Sequence, residues 1–228
     1  FADEIIVLDS GSTDGTADAA SKAGAKVIET DWPGYGPQQQ RGITLATCDW
    51  VLSLDADERV SSSLREEILN TMASPKADGY RLPRFSTFCG EFIHHSGWRP
   101  DYTLRLVKRN LAGFTDHFLH AHMTVNGTKA DLQESIIHYS YRDLRDVLDK
   151  LDRYSSGNAK DMMSRGLPPK SMAHALLHGI WAFIRTYIMR AGFLDGSAGL
   201  MLAIYNAECT YYKYLKYREL SLNGKESN

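Results

Sequence analysis

The sequence predicts an α/β fold: an opening parallel sheet covered by helices, a mixed continuation, and an α-helical tail. Three observations predict it. Apolar runs and helix-period segments alternate strand, helix, strand, helix, strand from Glu4 to Asp57, the order of a parallel sheet with helices on both faces. Beyond Asp78 shorter strand-like segments separated by long loops point to mixed or antiparallel pairing. After Ser140 the apolar spacing is helical.

Taken in order, Ile5 to Leu8 is a continuous apolar strand, Thr16 to Gly24 an Ala-rich helix and Lys26 to Glu29 a second strand. Pro37 to Ala46 reads as a helix opened by proline, and Trp50 to Leu54 as a buried strand. A helix is expected from Ser63, where Ser63 and Glu66 have capping-box spacing. Tyr80 to Phe85, Thr103 to Lys108, Met123 to Asn126 and Ser135 to Tyr139 are the later strands. An amphipathic helix then puts Leu144, Val147, Leu148 and Leu151 on one face. In the tail, Leu176, Ile180, Ile184, Tyr187 and Ile188 define one face and His174, His178, Trp181 and Arg185 the opposite one. After Gly192, Gly196 and Gly199, a second helix carries Tyr205, Tyr211, Tyr212, Tyr214 and Tyr217 among Lys213, Lys216 and Arg218. The division expected is a domain over 1–140 and a helical extension over 141–228.

The 228 residues, 43% hydrophobic and 24% charged, exclude disordered and collagen-like chains. Cys48, Cys89 and Cys209 form no CxxC pair, so neither a zinc knuckle nor a disulfide framework is indicated and a reducing compartment is expected. Residues 1 to 60 carry eleven acidic against four basic side chains, which argues against nucleic acid as a partner. Residues 172 to 218 reverse the balance, five basic against two acidic with nine aromatics, a composition that suits a helix lying in lipid headgroups or a helical hairpin packed on the catalytic domain or a dimer partner. No stretch reaches the roughly 18 to 20 apolar residues that span a bilayer. The chain opens on Phe1 and passes at once into a strand, as expected of a piece of something longer.

Two acidic loops follow the predicted strands, where α/β sheets bind ligands. Asp9-Ser10-Gly11-Ser12-Thr13-Asp14-Gly15-Thr16 lacks GxGxxG and begins with a carboxylate. Asp9 is suited to a base N–H or a ribose hydroxyl; the same composition also makes an ordinary capped turn. In Asp55-Ala56-Asp57-Glu58 two carboxylates can converge on one hard cation such as Mg²⁺ or Mn²⁺ bound with substrate phosphates.

The segments EIIVLDSGSTDGT, DWPGYGPQQQRG and WVLSLDADE resemble the nucleotide-sugar-binding half of inverting family 2 glycosyltransferases. SGWRPDYTLRL, FTDHFLHAHMTVNG, IIHYSYRD and MRAGFLDGSAGL resemble the bacterial lipopolysaccharide core β-1,4-glucosyltransferase subgroup. The resemblance implies a GT-A (Rossmann-like) fold, a UDP-sugar donor with UDP-glucose preferred, and a lipid-linked saccharide acceptor. It implies that Asp9 contacts the uracil end, that Asp55 lies near ribose and metal, and that Asp57 holds the divalent cation on the diphosphate. Family members carry an earlier strand ending in a Tyr-Asn-Glu type segment, which this sequence lacks.

Inverting transfer needs a base for the acceptor hydroxyl. The second half concentrates Asp116, His117, His120 and His122. Where the subgroup has an acidic pair and then Val-His-Glu, this chain has Asp116-His117 and Leu119-His120-Ala121, leaving Asp116 as the base and His120 as a substrate contact. Trp98 and Arg105, with Arg99, would border the acceptor; Trp98 reads equally as ordinary packing. No Q-x-x-R-W is present, which favours addition of a single sugar. The expected location is the cytoplasmic face of the membrane, on an anionic lipid surface. A metal-dependent nucleotidyltransferase and a non-catalytic carbohydrate-binding protein of the same fold are the rival readings, the second kept alive by Ala121. A haloacid-dehalogenase-like phosphatase would need Thr or Val where Arg59 stands.

Overall fold

A computed structural model describes residues 1–115 and 122–226. The chain divides into two compact units, Phe1–Arg84 with Tyr102–Ile136, and Phe85–Asp101 with Ile137–Asn228.

In the first unit β1 (Ile6–Asp9) and β2 (Lys26–Glu29) flank α1 (Thr16–Lys22) and pair in parallel, Ile6 opposite Lys26 through to Asp9 opposite Glu29. Next come α2 (Tyr35–Leu45), which starts two residues before the predicted proline, and β3 (Trp50–Leu52). The strand alternation predicted that β3 would extend a parallel sheet. Instead β3 pairs antiparallel with β7 (Tyr102–Lys108), Trp50 opposite Lys108 and Leu52 opposite Leu106. The packing explains this choice. Trp50 and Leu52 cover a core of Leu64, Ile68, Tyr80, Leu82, Leu106 and Ile136, while Val51 turns to a second core of Ile43, Val107, Met123 and Val125. Pairing β3 with β7 therefore buries both faces of the strand.

A two-residue β4 (Glu58–Arg59) precedes α3 (Ser62–Ala73). The N-cap of α3 is Ser61, whose Oγ accepts from Leu64 N at 3.2 Å, not the predicted Ser63. Ser63 instead donates to Glu134 Oε2 at 2.8 Å. β5 (Gly79–Phe88) pairs antiparallel with β7, and the register slips between Tyr80 and Arg81: Tyr80 faces Leu106, but Arg81 faces Leu104. Arg105 is the extra residue of a β-bulge. That slip also explains why Leu104 and Val107 share one core although Leu106 belongs to the other. β8 (Ala112–Phe114) pairs with β9 (Met123–Val125), and β10 (Lys129–Asp131) lies parallel to β5.

The second unit begins within β5, which turns back on β6 (Glu91–Phe92) through Cys89 and Gly90, both at positive φ, as a tight two-residue hairpin requires. β11 (Ile136–Tyr141) enters this unit and leads to α4 (Leu144–Ser164), capped by Asp143 accepting from Asp146 N. The packed stripe of α4 is Val147, Leu151, Ser155 and Ala159, four residues apart each time; Leu144 and Leu148, predicted on the same face, are exposed. α5 (Met172–Ile184) runs into a π-helical turn (Arg185–Met189), a 3₁₀ turn (Gly192–Asp195) and α6 (Gly196–Glu226). The core here is Phe88, Ile93, Tyr141, Val147, Leu151, Leu202 and Tyr205.

Neither predicted face of α5 is the packed one. Ala175, Gly179 and Ala182 are buried, whereas Leu176, Ile180 and Trp181 are exposed. Contact with α6 selects small size over hydropathy: a Cβ on Gly179 would stand 3.2 Å from Ala207 O and 3.3 Å from Tyr211 Cβ. At the turn between α5 and α6 the Asp195 carboxylate, 1% exposed, accepts from His94 N (2.9 Å), His95 N (3.1 Å) and Ser96 Oγ (2.8 Å) and meets His95 Nδ1 at 3.0 Å. Burial alone would raise its pKa, but these donors outweigh it and hold the carboxyl below the ordinary range.

Candidate active site

Asp9 ends β1 and is 6% exposed. Its Oδ2 accepts from Gly11 N at 3.1 Å and Ser12 N at 3.0 Å, an Asx-type turn closed within three residues. Hydrogen bonds from the Ser12 side chain, Ser12 N and Gly11 N hold its pKa below the usual carboxylate value. Farther along the loop Asp14 accepts from Thr16 N and Oγ1, so the carboxylate that caps α1 lies one residue before its N-cap Gly15.

The second acidic loop is anchored from outside. β3 and β7 remain in register one step beyond Leu52, with Ser53 N donating to Arg105 O at 2.9 Å. The bulge then aims the Arg105 side chain at the loop, and Nη2 donates to Asp55 Oδ2 at 2.6 Å and to Glu58 Oε1 at 2.7 Å. Arg105 is 9% exposed at its side chain and Glu58 0%. Burial pulls against the guanidinium charge, yet Asp55 and Glu58 overcome it and its pKa lies above the ordinary value. The loop also closes on itself: Asp55 N donates to Glu58 Oε2, and Arg59 donates to the carbonyls of Ala56 and Glu58. Among the described residues, Arg105 Nε is a buried donor without a hydrogen-bond partner.

The two loops are linked by α2. Buried Gln38 donates through Nε2 to Ser10 Oγ at 3.0 Å and to Thr30 Oγ1 at 2.6 Å, joining the ends of β1 and β2. Gln39 Oε1 accepts from Ser53 Oγ at the end of β3, and Gln40 Oε1 accepts from Phe114 N on β8. Arg41 pairs with Asp31 at 2.9 Å and donates to Gln38 Oε1. Neither these glutamines nor Glu58 was singled out as a site residue from sequence. The signal was present: successive helical residues project about 100° apart, so a Gln-Gln-Gln run reaches different loops.

Of the predicted site residues, Asp9, Asp55, Asp57 and Arg105 belong to the first unit, and Asp55 and Arg105 are in direct contact. Trp98 belongs to the second unit, where its ring packs against Phe88 and Tyr141. Asp116 and His120 lie outside the described residues. Among the described residues no three His, Cys, Asp or Glu side chains converge as a metal cage. Asp55 and Asp57 share one loop, in which Arg105 already holds Asp55 Oδ2.

Residues 1–131, more than half of the chain, match the family described as glycosyl transferase family 2. The chain belongs to glycosyl transferase family 2. An uncharacterized glycosyltransferase of Rickettsia bellii (strain RML369-C) is 31% identical over 97% of this chain and 79% of its own length. The lipopolysaccharide core biosynthesis glycosyltransferase LpsC of Rhizobium meliloti (strain 1021) is 26% identical over 92% of this chain and 83% of its own. A distant structural likeness is to S. aureus TarS 1-349 in complex with UDP-GlcNAc, 13% identical over 99% of this chain and 83% of that one, with a TM-score of 0.46. As a family 2 glycosyltransferase the chain has a mixed α/β fold followed by a helical region, as the sequence predicted. Among the described residues no helix is long and apolar enough to cross a membrane.

Proposed function

We propose that this family 2 enzyme transfers a single hexose, glucose from UDP-glucose, with inversion to a lipid-linked saccharide such as a lipopolysaccharide inner core, at the cytoplasmic face of the membrane. The supporting observation is that both acidic strand ends are tied to successive residues of one helix, Gln38 and Gln39, within the stretch that matches the family. The core acceptor is suggested by the name of the Rhizobium relative. In this reading residues 1–140 form the catalytic domain and 141–228 the membrane-facing extension.

Asp9 takes the uracil end, Asp55 the ribose side, and Asp57, with Asp55, holds a divalent cation on the diphosphate. The cation supplies charge neutralisation for the departing nucleotide. Asp116 removes the acceptor proton as that oxygen attacks C1 and the bond from C1 to the diphosphate oxygen breaks; His120 is a further contact to the acceptor. Arg105, expected from sequence to border the acceptor, contributes instead by fixing the Asp55 carboxylate through its bulge.

The test is a donor screen with UDP, GDP, CDP and dTDP sugars, with and without Mn²⁺. Metal-dependent turnover of UDP-glucose is expected. Turnover of a nucleoside triphosphate with release of pyrophosphate would replace this reading by nucleotidyl transfer.

A further inference from the structure

Large apolar side chains cover one end of the second unit. Leu177, Trp181, Ile188, Met189, Phe193 and Leu194, from α5 and the turns joining it to α6, are each between 51% and 64% exposed. Exposure of this kind is ordinary for scattered side chains and informative when they are continuous. Here continuity is built in, because the side of α5 facing α6 is taken by Ala175, Gly179 and Ala182, and its bulky residues have no place in that seam. From Leu176 to Ile188 the stripe runs about 18 Å, too short to cross a bilayer and long enough to lie along one.

The charge of the same segment is one-sided. Residues 172 to 194 contain Arg185 and Arg190 and no Asp or Glu. Asp195, next in sequence, is buried and spent on His94, His95 and Ser96. Long arginine stems can lie on an apolar surface while their heads reach phosphate. Exposed apolar bulk on a segment whose charged side chains are arginines, Asp195 being buried, complements an anionic lipid interface.

We infer that the outer face of α5 and the turn through Leu194 is the surface by which this protein docks on anionic bilayers, inserting to the boundary of headgroups and acyl chains. It rests on the membrane part of the proposed function and relocates it: sequence reading spread the contact over residues 172 to 218, including the Tyr-rich α6, whereas the structure assigns it to α5 and the hairpin tip. On α6, Tyr205 and Tyr217 are buried, and Tyr214 packs on His174 and His178.

The experiment is co-sedimentation of the whole chain with vesicles of equal parts phosphatidylcholine and phosphatidylglycerol. The doubly substituted Leu177→Glu, Ile188→Glu protein changes only exposed positions and should lose binding by about tenfold or more, while Tyr212→Glu on α6 should bind as the parent does. Raising salt should release only part of the parent, since two arginines supply the attraction. Brominated lipid should quench the parent's tryptophan emission, and Trp181→Phe should abolish that quenching. Equal binding of parent and double variant would overturn the inference. So would a parent twice the mass of the double variant in vesicle-free solution, which would give the face to a second copy of the chain. UDP-glucose turnover measured on the same proteins separates the outcomes: lost docking with intact turnover leaves the glycosyltransferase reading standing, and absent turnover with normal docking removes that reading alone.

Discussion

The loop after β1 satisfies its carboxylate from its own backbone, within three residues of Asp9, whereas the loop after β3 draws its positive charge from Arg105, fifty residues along the chain. Both orient an acid at a strand end. The first needs nothing but local turn geometry. The second exists only once β3 and β7 have paired and the bulge has set the angle of Arg105. A locally satisfied carboxylate tolerates change around it, while a remotely satisfied one transmits any error in strand register to the acid itself.

Arg105→Ala should break this comparison most severely, because it takes the guanidinium away from the fully buried Glu58 carboxylate. A loss of about 3–5 kcal/mol in urea unfolding is expected, with Arg105→Ala, Glu58→Gln recovering part of it. A loss below about 1 kcal/mol would mean that the pair is solvent-screened. In the same loop Asp57→Asn should lower turnover by roughly 10²–10³-fold and weaken UDP binding only when Mn²⁺ or Mg²⁺ is present. Equal UDP affinity of variant and parent across a metal titration would remove Asp57 from the cation site.

Asp116→Asn sharpens the assignment of the base. Donor and metal binding should persist while transfer falls about 10²-fold or more, and near-parental transfer would pass the role to His120. The smallest effect belongs to the local loop. Asp9→Asn keeps an oxygen that Gly11 N and Ser12 N can reach, so at pH 7 its thermal unfolding should differ little from the parent's. The folded pKa of Asp9 lies below its ordinary 3.8, so its contribution is complete above that value and is lost as pH falls through the folded one. Asp9→Asn should therefore lose less stability than the parent on acidification, and parallel pH curves would contradict the bonding described.

Local signals were legible because the groups that answer them sit within a few residues. Lys26–Glu29 is the strand its alternation predicted, and Asp143 caps α4 with a carboxylate that reaches only three residues on. Ser63 followed by Glu66 had the letters of a cap, but the Ser63 hydroxyl is claimed by Glu134, 71 residues away, and Ser61 takes the role. Hydropathy misplaced the packed side of α5, since the seam with α6 is decided by how near two backbones approach at Gly179. Both acidic loops of the site were visible as letters. The clamp that orients the second was not, because a one-residue bulge in β7 leaves no trace in composition.

The Asp195 knot sets an order of events during synthesis. It joins residues 100 positions apart inside a unit whose two pieces, Phe85–Asp101 and Ile137–Asn228, are separated in sequence by part of the other. At about 5–20 residues per second, Asp195 leaves the ribosome roughly 5–20 s after His95, while all of the first unit has already been made. The His94 to Ser96 turn must wait that long for its carboxylate, with Phe88 and Ile93 still lacking the α6 side chains that cover them. The first unit can close during translation; the second cannot, and its apolar β5 to β6 hairpin is the stretch of the nascent chain most in need of protection.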